Sequence, residues 1–148
     1  MIMKKVKKNF GFTLVELLVA ISIVGILSGI SIFGLTGARE SARDGRRKSD
    51  LETVRSALEL YKADCASYRN GSGNVVSVLG STFGGGSCNS NTYLENVPND
   101  LLGARYYRYW SNGIRYELCA ALEGGTGSVS CGGSSDCGVT CNYRVTSP

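Results

Sequence analysis

The sequence predicts an α+β fold in which one long N-terminal helix precedes a small antiparallel β-sheet. A thirty-residue run from Asn9 to Ala38, in which Glu16 is the only charged residue, predicts the first half of the helix. Apolar residues at three- and four-residue steps from Leu51 predict its second half. The dipeptide Asn112-Gly113, between two segments rich in aromatic and aliphatic residues, predicts a β-hairpin.

The apolar run is long enough to span a membrane. Residues 17–35 are nineteen uncharged residues, and about twenty apolar residues cross a bilayer. A secretory signal peptide fits less well, because its apolar stretch is only about 7 to 15 residues long and precedes an Ala-x-Ala-like site. Glu16 needs a partner, since a carboxylate costs roughly 2.5 to 3.5 kcal/mol at the centre of a spanning helix. We therefore expect residues 12–38 to form a transmembrane helix.

Residues 39–64 are predicted to continue this helix as an amphipathic segment. No proline occurs before Pro98, so nothing forces the helix to stop. One face carries the apolar residues Leu51, Val54, Leu58 and Tyr61. Opposite charges four residues apart are predicted to lie on a solvated face: Asp44–Lys48, Lys48–Glu52 and Arg55–Glu59.

Residues 65–148 are predicted to form a small globular β domain. Residues 65–91 are rich in Gly, Ser and Asn, which predicts an irregular segment with a short element at 75–79. Residues 106–110 and 114–122 are predicted to be the two strands of the hairpin, with a third strand at 142–145. We expect the sheet to pack against the amphipathic half of the helix.

The cysteines predict a disulfide-stabilised domain on the oxidising side of the membrane. All six follow the apolar run: Cys65, Cys88, Cys119, Cys131, Cys137 and Cys141. The chain has no Cys-x-x-Cys pair and no His, so the spacing does not favour a zinc site. An even number of cysteines in a small Gly-rich domain is typical of a disulfide framework. Six cysteines allow fifteen pairings, so the connectivity stays open.

Composition argues against an enzyme and against a nucleic-acid-binding protein. Without His there is no imidazole base or ligand, and no nucleophile has a suitable base, so we predict no catalytic, cofactor or metal residue. The formal charge of +4 falls to zero without the four lysines of residues 1–11. Bases and aromatics alternate in residues 105–116, as in a platform for single-stranded nucleic acid or sugars. Strands are rich in aromatics anyway, and alternation would bury about half of them.

The residues around Gly11 carry a family resemblance. A basic leader containing Lys4, Lys5, Lys7 and Lys8 ends in Gly11, and Phe-Thr-Leu-Val-Glu at residues 12–16 opens the apolar helix. This pattern resembles the N-terminus of type IV prepilins and of the pseudopilins of type II secretion systems. Two shorter stretches, at residues 61–68 and 98–103, are similar to segments of major pseudopilins.

The resemblance implies a pilin-like fold and a structural subunit of a type IV pilus-like or type II secretion pseudopilus filament. It implies that a prepilin peptidase removes leader 1–11 by cutting after Gly11 and methylates the amine of Phe12. Glu16 is then expected to neutralise such an amine during filament assembly. The implied partners are identical or related pilin subunits, an inner-membrane assembly platform and its ATPase.

Location follows from the same resemblance and from the cysteines. They imply a single-pass inner-membrane precursor with a cytoplasmic N-terminus, which later enters a periplasmic or cell-surface filament. The number of Lys and Arg residues on each flank does not predict the orientation of the membrane-spanning segment, because four lysines precede it and five basic residues follow it within residues 39–48. The calcium site of related pseudopilins is not expected, since the late Gly-rich loop, residues 124–141, offers only Asp136, with Glu123 at its edge.

Two alternatives stay open from sequence. The chain fits a membrane-anchored extracytoplasmic binding or adhesion module as well as a polymerising subunit. The filament itself fits a surface pilus, a secretion pseudopilus or a DNA-uptake device, with the chain as a major or minor subunit.

Overall fold

The computed structural model describes residues 11–148, except for the side chains of residues 32–34. The chain divides into two compact units, Met1–Arg39 and Glu40–Pro148. Helix α1 spans Leu14–Cys65 and contributes to both. The α+β prediction is confirmed, and helix α1 begins and ends within two residues of the predicted 12–64. Of the predicted leader 1–11, only Gly11 lies within the described residues.

In the first unit, helix α1 presents its apolar side chains to the surroundings. It is the one helix in the described part of the chain that is long and apolar enough to cross a membrane. Two serines in this stretch turn their hydroxyls onto the helix itself: Ser22 Oγ donates to the Leu18 carbonyl at 2.8 Å, and Ser31 Oγ donates to the Leu27 carbonyl at 2.9 Å. Both polar groups are therefore satisfied without water, as hydrocarbon requires.

The second unit is built on an antiparallel sheet with the strand order β1-β4-β5-β6. Its strands are β1 (Gly71–Asn74), β4 (Arg108–Ser111), β5 (Tyr116–Ala120) and β6 (Tyr143–Thr146). A short helix, α2 (Val75–Leu79), follows β1, and a two-stranded sheet pairs β2 (Phe83–Gly84) with β3 (Thr92–Leu94). The predicted hairpin is β4–β5, the third strand is β6, and the short element is α2.

The core lies between helix α1 and the sheet. The predicted apolar face of α1 is buried, with Leu51, Val54 and Leu58 fully inaccessible. Their core partners include the tyrosines and aliphatic residues of the sheet: Tyr107, Tyr109, Tyr116, Leu118 and Val145. The helix therefore buries one stripe against one face of the sheet, which is the packing that its periodicity predicts.

Tyrosine hydroxyls join the sheet to acids on the helix. Tyr107 Oη donates to Asp50 Oδ2 at 2.7 Å, and Tyr116 Oη donates to Glu59 Oε1 at 2.8 Å. Tyr68 Oη donates to Glu59 Oε2 at 2.9 Å. The predicted solvated pair of Glu59 with Arg55 is therefore wrong, because Glu59 faces these hydroxyls and Arg55 lies beside Glu52 instead.

Strand β1 was not predicted. Its residues, Gly-Ser-Gly-Asn, have low strand propensity, so the segment was interpreted as irregular. Pairing with β4 in the register Gly71↔Ser111 to Asn74↔Arg108 makes it an edge strand. The long-range pairing overrides local propensity here.

The six cysteines form three disulfides. Cys119–Cys131 and Cys137–Cys141 form a second buried cluster, in which Cys119 lies on β5 and the other three cysteines lie in the Gly-rich loop 124–141. Cys65–Cys88 joins the end of helix α1 to the irregular segment that follows β2. Among the described residues no cysteine is free. The bridges thus stabilise the two loop regions that contain the least regular structure.

We expect purified, unreduced protein to contain no titratable thiol after denaturation. Replacing Cys119 and Cys131 together with Ser should lower the free energy of unfolding by about 3 kcal/mol, because the bridge restricts the unfolded chain. The Cys65–Cys88 bridge is the comparison and should be reduced first by dithiothreitol, because Cys88 is exposed and Cys65 only partly buried, whereas Cys119 and Cys131 are fully buried. Six free thiols in the unreduced protein would contradict the disulfide assignment.

Candidate processing and assembly site

The predicted cleavage point lies just outside helix α1. Gly11, Phe12 and Thr13 are not helical, and the helix begins at Leu14. The side chain of Phe12 is 82 % exposed. The bond after Gly11 therefore stands in accessible, non-helical backbone, in a form that an enzyme cleft is able to bind.

Thr13 and Glu16 form a reciprocal cap on this helix end, which we call the Thr13 cap. The backbone N–H of Thr13 donates to Glu16 Oε2 at 2.9 Å, and Thr13 Oγ1 donates to the same oxygen at 2.7 Å. The backbone N–H of Glu16 lies 3.3 Å from Thr13 Oγ1, which accepts from it. This is a capping box, and it satisfies donors that the first helical turn otherwise leaves unpaired. A Thr-x-x-Glu spacing before an apolar run was the signal for it, and it went unrecognised in the sequence.

The structure places Glu16 beside the candidate cleavage residues. Three residues separate it from Phe12, and both side chains are exposed. From sequence, Glu16 also fits a position at the lipid headgroup level, paired with Lys7 or Lys8, and both lysines lie outside the described residues. Removal of the leader would create an ammonium at Phe12, next to the only charged side chain of the apolar run.

The apolar part of helix α1 has room for close neighbours. A Cβ added at Gly25 or Gly29 would meet nothing within 4 Å. Large apolar side chains around them, among them Ile21, Ile26 and Leu27, are more than half exposed. Small residues at a four-residue spacing let a second helix approach the backbone closely.

A second concentration of charge lies in the globular unit. We call it the Arg47 cluster, and its members are Arg43, Asp44, Arg47, Asp100 and Glu123. The Arg47 side chain is only 3 % exposed and contacts all three carboxylates. Its Nε lies 2.7 Å from Asp100 Oδ2, and its Nη1 lies 2.8 Å from both Asp44 Oδ1 and Glu123 Oε1.

The Arg47 cluster connects helix α1 to the two loops that contain Asp100 and Glu123. Asp44 accepts hydrogen bonds from the backbone N–H groups of Glu123 and Gly124, and Arg43 pairs with Glu123. Asp100 also accepts from the backbone N–H of Leu102 at 2.9 Å. The predicted solvated pair of Asp44 with Lys48 is therefore wrong: Asp44 is buried, and Lys48 lies over the ring of Tyr143.

The cluster lowers the pKa values of Asp44 and Glu123. Hydrogen bonds from Arg43 and Arg47 lower the pKa of Glu123 from 4.5 to about 2. Burial alone would raise the pKa of Asp44, but bonds from two backbone N–H groups and from Arg47 outweigh it and lower that pKa. The pKa of Arg47 is raised, chiefly because Asp100 accepts from it. Asp44, Arg47 and Glu123 are therefore charged at neutral pH.

We expect acid to loosen the globular unit through this cluster. A carboxylate whose folded pKa is depressed stabilises the protein above its unfolded pKa and loses that contribution as the pH falls through the folded value. For Glu123 the window runs from pH 4.5 down to about 2. Over this window, the free energy of unfolding measured in urea should fall less steeply with pH for Glu123→Gln than for the wild type. Identical pH profiles for the two proteins would contradict the assignment.

The acids of the late loop are engaged by protein groups. Glu123 belongs to the Arg47 cluster, and Asp136 Oδ1 accepts from the backbone N–H of Gly138 at 2.9 Å. Within residues 11–148, no group of three or more His, Cys, Asp or Glu side chains is arranged to hold a metal ion.

The basic and aromatic residues of the hairpin do not form one platform. Tyr107, Tyr109 and Tyr116 are buried against helix α1. Arg105 donates to the Ala121 carbonyl at 2.8 Å. The alternation of the strands therefore divides the aromatic side chains between the two faces of the sheet, with these three in the core.

Comparisons with known proteins agree on one family. Residues 6–32 match the prokaryotic N-terminal methylation motif. The chain is 30% identical over 113 residues to type II secretion system core protein G of Vibrio cholerae serotype O1, which covers 75% of this chain and 77% of that protein. It is 31% identical over 107 residues to the protein of the same name from Escherichia coli strain K12, with 70% and 74% covered. No solved structure gives a significant match.

Identity extends well beyond the methylation motif into the globular unit. The Pseudomonas aeruginosa core protein G is 27% identical over 129 residues, which cover 81% of this chain and 90% of that relative. The matched part therefore extends past the apolar helix and includes the amphipathic helix and part of the sheet domain. The chain belongs to the pseudopilin family, among the relatives of type II secretion system core protein G.

Proposed function

We propose that this pseudopilin is processed after Gly11 and polymerises through helix α1 into the pseudopilus filament of a type II secretion system. The observation that carries the proposal is the position of Glu16. It is the one charged side chain among the exposed apolar residues at the start of α1, and it lies three residues after the Thr13 cap begins.

Processing creates the positive charge that Glu16 needs as a partner. Cutting after Gly11 removes four lysines and leaves an ammonium on Phe12, so that the mature end carries one positive and one negative group. Methylation of a primary amine leaves that positive charge in place. In our proposal a prepilin peptidase performs both steps, and the leader and the amine face the cytoplasm.

Assembly then buries the apolar helix against copies of itself. A carboxylate without a partner would be expensive in such a bundle, and so would an ammonium. We propose that Glu16 of one subunit neutralises the Phe12 ammonium of the next, which sets the axial register. The contact is heterologous and does not close, so repeated addition builds a helical filament.

Other components follow from this scheme. Subunits leave the membrane only if a platform extracts them, so we propose an inner-membrane assembly platform and its cytoplasmic ATPase as partners. The disulfide-bonded globular unit would face the periplasm, where oxidation is possible. The chain would act as a structural subunit without an activity of its own.

Shearing tests the proposal against the anchored binding module. Cells that overproduce the chain together with the secretion machinery are sheared, and the released fraction is sedimented and viewed by electron microscopy. We expect filaments that contain the chain. The control is Gly11→Val, which blocks processing at a position where a new side chain meets nothing within 4 Å. Wild-type chain found only in the membrane fraction, like the control, would overturn the polymerising role.

A further inference from the structure

The Thr13 cap uses only one of the two oxygens of Glu16. Both bonds from Thr13, from its backbone N–H and from its hydroxyl, end on Oε2. Within residues 11–148, Oε1 accepts no hydrogen bond from another side chain. A carboxylate has about four acceptor positions, so Oε1 retains full capacity for a further donor.

The cap also fixes the direction of that free oxygen. Thr13 is β-branched and therefore stiff at χ1, and its hydroxyl both donates to Glu16 and accepts from the Glu16 backbone. A glutamate on an exposed surface otherwise samples many rotamers, and ordering it has an entropic cost. Here that ordering takes place within the subunit, before any neighbour binds.

Burial in an apolar bundle makes it costly to break the cap. Unpaired N–H groups of a helix end have no water to bind in a lipid or protein interior. If docking moved the Glu16 carboxylate away from the Thr13 N–H, the ammonium would gain a partner but the N–H would lose its own. Docking at Oε1 leaves every bond of the cap in place.

We propose that Thr13 is a positioning residue for assembly, which holds Glu16 by Oε2 and leaves Oε1 as the acceptor for the Phe12 ammonium of a second copy of this chain. The proposal rests on the docking role of Glu16 given above and adds the residue that orients it. Thr13 itself does not contact the partner amine.

Three variants test it in the full chain with the secretion machinery present. Thr13→Val keeps the shape of the side chain and the charge of Glu16 but removes the hydroxyl. Thr13→Ser keeps the hydroxyl, and Glu16→Gln keeps the capping geometry without the charge. The N-terminal peptide of each membrane form is first analysed by mass spectrometry for cleavage and methylation.

The expected filament yields separate the roles. Thr13→Val should be fully cleaved. Because loss of a cap typically weakens the contact it supports by about fivefold, its filament yield should be about a fifth of the wild-type yield or less. Thr13→Ser should restore the wild-type yield, which a purely steric role for the threonine would not predict. Glu16→Gln should give no filaments.

Several outcomes would overturn the inference. Wild-type yield from Thr13→Val would do so, and so would an equal loss in Thr13→Ser. Uncleaved Thr13→Val precursor would assign position 13 to processing instead. Wild-type filaments from Glu16→Gln would overturn the docking role itself, which is the separate failure of the proposed function.

Discussion

Replacing Glu16 with Val is expected to abolish filament assembly while membrane insertion continues. The variant removes the only charge from the apolar run, so partition of helix α1 into the bilayer becomes easier. Each docking event would instead bury an ammonium without a counter-charge, which costs about 3 kcal/mol or more and lowers the association constant at least about a hundredfold. The same change removes the Thr13 cap, which adds to the loss.

Cell fractionation checks this expectation. Cleaved Glu16→Val protein should accumulate in membranes at the wild-type level and resist alkaline extraction, and the sheared fraction should contain none. A control at Val15, changed to Leu, keeps the apolar surface and should assemble normally. Filaments at the wild-type level from Glu16→Val would contradict the docking role and would leave Glu16 as a residue of the headgroup region.

Replacing Arg47 with Met should destabilise the globular unit by about 3–5 kcal/mol. The side chain is 3 % exposed and sits among Asp44, Asp100 and Glu123. Methionine fills a similar volume but leaves buried carboxylates without their partner, which is among the most costly single changes in a protein. Helix α1 would lose its ion pair with the loop that contains Asp100, and only Arg43 would remain paired with Glu123.

A neighbouring residue provides a matched control. Arg46 is exposed, one position away on the same helix, so Arg46→Met removes the same charge and should change the free energy of unfolding by no more than about 0.5 kcal/mol. Urea unfolding of both full-length variants in detergent can be followed by the fluorescence of Trp110, the only tryptophan. Equal stability of the two variants would show that the Arg47 cluster is not a structural attachment.

Features encoded by local periodicity could be predicted from the sequence. The apolar face at Leu51, Val54 and Leu58 follows a helical repeat, and the strands of the β4–β5 hairpin flank a recognisable Asn-Gly turn. The turn is longer than the dipeptide suggests, because the last pair is Ser111↔Tyr116. Asn112 Oδ1 accepts from two backbone N–H groups inside this loop, so the asparagine organises a wider turn.

Features that depend on distant partners could not be predicted. Arg47 finds Asp100 and Glu123 at sequence separations of 53 and 76 residues, and nothing local distinguishes it from the exposed Arg46. Glu59 likewise accepts from the hydroxyls of Tyr68, in the segment after α1, and of Tyr116 on β5. For Asp44 and Glu59 the helical spacing of opposite charges predicts a solvated pair, but the packed globular unit provides closer partners.

The candidate site contains a local feature that could have been predicted from the sequence but was not. The Thr13 cap is local, since it spans four residues, and its Thr-x-x-Glu spacing is visible in the sequence. The resemblance to prepilins predicts a role for the charge of Glu16 but not its capping role. Both roles use the same carboxylate, and the structure separates them by assigning the cap to one oxygen.

The mass of the N-terminal peptide recovered from sheared filaments tests the central claim most directly. We expect a peptide that begins at Phe12, carries one methyl group on its amine and includes Glu16 unmodified. The control is the same peptide from the Gly11→Val membrane fraction, which should retain residues 1–11. A filament peptide that begins at Met1, or a mature protein that begins after the apolar run near Arg39, would contradict processing and polymerisation through helix α1.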